Sequence, residues 1–159
     1  MRLGGGIGDM KIQLVHLEIR KDKEVDLGKI SDSDDLGRVA ESIIGKRDTE
    51  NMLILCLDTK SNIIGATIAA VGSVDCVVIK LREIFKYAII CNAASIVVAH
   101  NHPSGFLAPS DDDINITRQI IAAGQLLGIN VFDHIIVADD DYLSLAGTTD
   151  LFRNRSRCK

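Results

Sequence analysis

The chain has 159 residues, 47% of them hydrophobic and 25% charged, and a formal net charge of -4. That length fits one domain with a sizeable core rather than two; no apolar run approaches the roughly 20 residues that a membrane-spanning helix needs, and the acidic balance gives no overall drive towards nucleic acid. The first residues lack the basic start and continuous apolar segment of a secretory signal, and Cys56, Cys76, Cys91 and Cys158 are far apart with no C-x-x-C pair, so the expectation is a cytoplasmic protein whose cysteines are buried filler.

Residues 1–10 contain "LGGGIGD", which follows no strand and has neither spacing of a phosphate-binding loop; they are read as a flexible leader. Near-alternation of Ile12, Leu14, Leu17 and Ile19 predicts a strand over 11–19, followed by a charged link. Ser33 precedes two acids, and Leu36, Val39, Ala40, Ile43 and Ile44 share one helical face that Gly45 ends. "NMLILCLD" and "NIIGATIAAVGS" are apolar and partly β-branched with "DTKSN" between them, which predicts a hairpin. The period then becomes helical, with Ile84, Phe85, Ala88 and Ile89 on one face, before "SIVVAH" reads as a buried strand. A helix should start after Pro109 with Ser110 as its cap, turning Ile114, Thr117, Ile120, Ile121 and Leu127 inward until "GIN". "VFDHIIVAD" is another strand and "YLSLAG" the last, while Arg153, Arg155, Arg157 and Lys159 form a basic, solvated tail over 151–159. Strands interleaved with helices imply one α/β domain over 11–150, a sheet covered by helices.

The chemistry concentrates in "VVAHNHPSGFLAPSDDDI". On an extended chain His100 and His102 point to the same side and can reach one metal ion, while Pro103 and Gly105 turn the loop back towards the helix start. An aspartate in that first turn would supply a third ligand and leave a fourth position for water, the layout of a catalytic rather than a structural zinc site. A plainer reading stands beside it. Ser110-x-x-Asp113 has capping-box spacing with aspartate in place of glutamate, and a strand-end histidine often makes only a hydrogen bond. The cap and the ligand readings of Asp113 are compatible, because a cap positions its residue.

His100-x-His102-Pro103, followed by Ser110-x-x-Asp113, resembles the JAMM motif of the JAB/MPN metalloprotease family. "HNHPSG", "PSDDD" and "GINVFDHIIVADDDYLSL" are similar to its bacterial RadC branch, as are "LDTKSNIIG", "LREIFKYAIICNAASIVVAHNHPSG" and "TRQIIAAGQLLGIN", so the likeness covers residues 48–144. The resemblance implies a mixed β-sheet flanked by helices, similar to cytidine deaminases. It also implies Zn²⁺ held by His100, His102 and Asp113, with Asp111 and Asp112 as competitors only if the loop is one or two residues out of step. The family's early glutamate falls on Glu50, which without the likeness reads as a solvated strand-start residue; Glu41 lies in the amphipathic helix and does not match. In those roles Glu50 is the general base and acid, Ser110 donates to the oxyanion, and the reaction is hydrolysis of a peptide, isopeptide or related amide bond. His134 is expected behind the ligands or in a structural role, and Asp133, Asp139, Asp140 and Asp141 at turns or the surface.

Two departures from the RadC pattern are visible: Lys80-Leu81 stands where that branch has His-Pro before "RE", and the first 32 residues are too short for the helix-hairpin-helix-like region of longer members. Three functions are therefore carried: a zinc hydrolase acting on a peptide or protein; a binding module associated with DNA repair, in which the metal is structural; and a nucleic-acid-processing protein. Glu50→Gln separates the first from the second, and salt-sensitive DNA binding through the basic tail would mark the third.

Overall fold

The computed structural model describes residues 33–72 and 80–153. The leader, the strand expected over 11–19, most of the basic tail, Cys76 and Cys158 lie outside the described residues.

The predicted hairpin forms: β1 (Asn51–Leu57) pairs antiparallel with β2 (Ile63–Val71). Its turn is organised by Asp58, whose Oδ1 accepts from the backbone N–H of Lys60 and Asn62 at 2.8 and 2.9 Å, while Ser61 takes a positive φ of 65°. α2 (Leu81–Ile90), β3 (Ser95–Asn101), α3 (Asp111–Leu127), β4 (Asn130–Ala138) and β5 (Asp141–Ser144) follow, with α1 (Ser33–Ile44) before the hairpin and the short α4 (Leu145–Thr148) at the end. The sheet order is β2-β1-β3-β4-β5. The β3–β4 pair is parallel and the others antiparallel, so the sheet is mixed, and the long crossover from β3 to β4 is α3, as a parallel connection requires.

Every residue of β1 and β3 is buried, because both faces of the sheet are covered. Met52, Ile54, Ile96 and Val98 meet Ile84, Phe85 and Ile120 of α2 and α3. Leu53, Leu55, Val97 and Ala99 alternate to the other face and meet Leu36, Val39, Ala40 and Ile44 of α1.

Four expectations need correction. Ile89 and Leu127 are 53% and 48% exposed: each sits in the last turn of its helix, where the apolar stripe has run past the sheet. The strand expected over "YLSLAG" stops at Ser144 and becomes α4. Asp133 is no surface carboxylate. It is 3% exposed, accepting from the backbone N–H of His134 and Ala146 at 2.7 and 2.9 Å and from the Ser144 hydroxyl at 2.6 Å. Those bonds also turn the chain out of β5. Finally, α1 begins at Ser33 itself rather than after it. Of the described cysteines Cys56 is buried, as expected, and Cys91 half-buried.

Candidate metal centre

His100 is the last residue but one of β3 and is fully buried. His102 lies two residues on, its ring centroid 4.7 Å from that of His100. Both are on the face that Ile96 and Val98 turn towards α3. The backbone N–H of His102 still bonds to the Val137 carbonyl at 2.7 Å, and the turn beyond it closes with Gly105 N–H donating to the His102 carbonyl at 3.1 Å. Gly105 has a φ of +78°, and a Cβ there would come within 3.0 Å of the Asp139 carboxylate, so a glycine is required.

The loop delivers Ser110 as the N-cap of α3. The predicted capping box is present: Asp113 N–H donates to Ser110 Oγ at 3.1 Å, and Ser110 N–H donates to Asp113 Oδ2 at 2.7 Å. The Ser110 hydroxyl also donates to Asp113 Oδ2, at 2.6 Å. The cap thereby turns the carboxylate towards the histidines, with Oδ1 3.0 Å from His100 Nε2 and Oδ2 3.5 Å from His102 Nε2. Asp111 and Asp112 are exposed and are not part of the group.

These atoms fit a metal ion. Nε2 of His100 and Nε2 of His102 are 2.8 Å apart, and ligand atoms of all three residues lie within 4.8 Å of one another. Bonds of about 2.0–2.1 Å in a tetrahedron separate ligand atoms by about 3.3 Å, beside 2.8 Å between the two Nε2 atoms, 3.0 Å from His100 Nε2 to Asp113 Oδ1 and 3.5 Å from His102 Nε2 to Asp113 Oδ2. Two imidazoles facing each other through Nε2 at this distance either share one N–H between them or hold a cation between two lone pairs. The electrostatics agree. The hydrogen bond to Asp113 raises the His102 pKa against the opposing effect of burial. Burial pushes the Asp113 carboxyl up, but its interactions with His100, His102 and Ser110 overcome it and hold the group well below the usual carboxylate range.

Glu50 directly precedes β1. The register pairs Met52 with His100 in an antiparallel ladder, so two residues further along Glu50 comes opposite His102 on the same face. Both line a cleft of about 310 Å³ with Asp48, Pro103 and Ser104. Asn101, between the histidines, points the other way and secures this segment. Its Oδ1 accepts from Asn51 N–H at 2.8 Å, and its Nδ2 donates to the carbonyls of Arg47 and Thr49 at 3.2 and 3.0 Å.

The structure thus brings together His100, His102 and Asp113, with Glu50 beside them and Ser110 on the carboxylate. His134 stands behind His100 as expected, its Nε2 2.8 Å from His100 Nδ1, and burial holds its pKa well below the ordinary value. Sequence reasoning missed Asp48, Asn101 and the hydrogen-bonding part of Thr117, which it read only as a core position. Alternation about the H-x-H pair was the signal that could have found Asn101. A larger cleft of about 1080 Å³ lies at the opposite end of β3 and β4, by Ala94, Asn130 and α4; the convergent ligand group is not there.

Residues 30–150 match the family model described as RadC-like JAB domain. Among curated proteins, a UPF0758 protein of Finegoldia magna is 42% identical over 123 residues, 77% of this chain and 55% of the relative. One from Latilactobacillus sakei is 39% identical over 147 residues, covering 88% and 65%, and one from Methanococcoides burtonii is 44% identical over 96 residues, covering 60% and 42%. The chain spans about half the length of the curated relatives it matches. Among the described residues, no helix is long and apolar enough to cross a membrane.

Proposed function

The chain belongs to the RadC-like JAB domain family, and from that premise we propose that it is a JAMM-type hydrolase in which His100, His102 and Asp113 hold Zn²⁺. The observation that carries the reading is the convergence of two Nε2 atoms and one carboxylate beside a second carboxylate, Glu50, at the head of another strand. An ion held there would acidify a water molecule and polarise a carbonyl oxygen.

The chain's own groups would do the rest. Glu50, in the cleft beside His102, takes a proton from the attacking water and passes one to the leaving amine, so that a peptide, isopeptide or related amide bond yields a carboxylate and an amine. The hydroxyl of Ser110 donates to the oxyanion that develops on the substrate. In the resting site that proton is directed at Asp113 Oδ2, and the donation requires the hydroxyl to rotate while Ser110 N–H keeps the carboxylate in place. The substrate is a peptide or protein that presents such a bond to the cleft.

The first test is metal content by mass spectrometry on wild type, His102→Ala and Asp113→Ala. About one zinc per chain, absent from both variants, is expected. Glu50→Gln should keep the metal and lower amide hydrolysis by about 10²–10⁴-fold. A wild type that takes up no zinc when supplied with it would remove the hydrolase reading and leave Ser110 and Asp113 as a helix cap. Zinc uptake with activity unchanged by Glu50→Gln would favour a binding module with a structural metal.

A further inference from the structure

Two fully enclosed polar side chains stand behind the ligand set without belonging to it: His134 on β4 and Thr117 on α3. We propose that Thr117 and His134 form a directed hydrogen-bond chain that fixes His100 in the tautomer whose Nε2 lone pair faces the metal centre. Both are positioning residues, and the inference rests on the reading of His100 as a ligand.

The direction of the chain follows from its fixed end. The backbone carbonyl of Asp113 can only accept, and Thr117 Oγ1, 2.5 Å away, donates its single proton there. The same oxygen lies 2.5 Å from His134 Nδ1. With its proton already given, it must accept, so Nδ1 of His134 carries hydrogen. Out of solvent the neutral ring is favoured, which leaves a lone pair on His134 Nε2, 2.8 Å from His100 Nδ1. His100 therefore carries hydrogen on Nδ1, and Nε2, 3.0 Å from Asp113 Oδ1, is the nitrogen turned to the metal centre, where a metal would take the place of any hydrogen shared with that carboxylate.

A histidine ligand ordinarily donates its second N–H to a carboxylate or carbonyl, which can only accept. An imidazole in that place can donate or accept, so a third group is needed to choose. Thr117 makes the choice, and it takes its own direction from the helix turn that carries the ligand Asp113. His102 reaches the same result more simply, with Nδ1 2.6 Å from the Phe106 carbonyl. The two histidines are set from opposite sides of the centre, one by the core and one by the loop.

The test reads tautomers directly, by long-range ¹H–¹⁵N correlation NMR of histidine side chains in the metal-free full chain. Zinc affinity is measured separately by competition with a chromogenic chelator. Wild type should show Nδ1–H on both His100 and His134. Thr117→Ser should keep that pattern and wild-type zinc affinity, whereas Thr117→Val should mix the tautomers of His100 and weaken zinc binding by about 10–100-fold. An Nε2–H tautomer at His100 in the wild type overturns the proposal, and this spectrum decides it even if Thr117→Val does not fold. A folded Thr117→Val with unchanged tautomers and affinity also overturns it. Failure of the wild type to bind zinc is a different result: it removes the ligand reading, while the tautomers of the metal-free protein still answer for the chain.

Discussion

Two histidines that each lie against His100 are driven in opposite directions. His134 is held well below the ordinary imidazole pKa, first by burial and then by its neighbour His100; His102 is held above it, first by the hydrogen bond to Asp113. In the unfolded chain both titrate near about pH 6.5. Below that, the unfolded state takes up a proton that buried His134 refuses, so stability falls with decreasing pH, by up to about 1.4 kcal/mol per pH unit. Above it, folded His102 keeps a proton that the unfolded chain releases, so that stabilisation is lost as pH rises through the raised pKa. The depressed Asp113 carboxyl adds a further loss only below its unfolded value of about 4. Thermal unfolding of the metal-free protein should therefore be most resistant near about pH 6.5 and weaken on both sides. A midpoint that keeps rising through about pH 8 would mean that His102 is not charged beside Asp113.

Legibility at the scale of elements was uneven, and α3 shows why. Its cap could be read because Ser110 and Asp113 are local and polar, and the buried positions Thr117 and Ile120 could be read from period alone. Gly124 could not. It is buried in the helix, and a Cβ there would lie 2.5 Å from the Ile129 carbonyl oxygen and 2.8 Å from Val131 Cγ2. The close approach is what lets α3 turn through Gly128, in the left-handed region, straight into β4. Gly124→Ala gains about 1 kcal/mol in helix propensity but overpacks against backbone that cannot yield, at about 1–3 kcal/mol. A lower denaturation midpoint is expected, and an unchanged or higher one would mean that α3 and β4 can separate at little cost. The end of β5 was illegible for a related reason. The alternation of "YLSL" fits a strand, but the buried carboxylate of Asp133, on a different strand, takes the Ser144 hydroxyl and Ala146 N–H and so decides where the strand stops.

On the scale of the molecule, the site joins three parts of the chain: β3 supplies His100, α3 supplies Asp113, and Glu50 enters at the head of β1. The H-x-H pair and the cap were readable because each is local. Glu50 is separated from His102 by 52 residues, and only the antiparallel register brings them together; without the family likeness nothing in its own surroundings marks it. This division predicts different consequences for stability. An ion on His100, His102 and Asp113 would tie the sheet to the crossover helix, so free zinc at about 100 times its Kd should stabilise the fold by about 2.7 kcal/mol, or about 5–10 °C in Tm at this size. His102→Ala and Asp113→Ala should abolish the shift and a chelator should reverse it. Glu50→Gln should retain it in full, because a base that works through water adds nothing to binding. Loss of the shift in Glu50→Gln would instead place Glu50 among the ligands, and the proton transfers assigned to it would then need another carboxylate, for which Asp48 in the same cleft is the candidate.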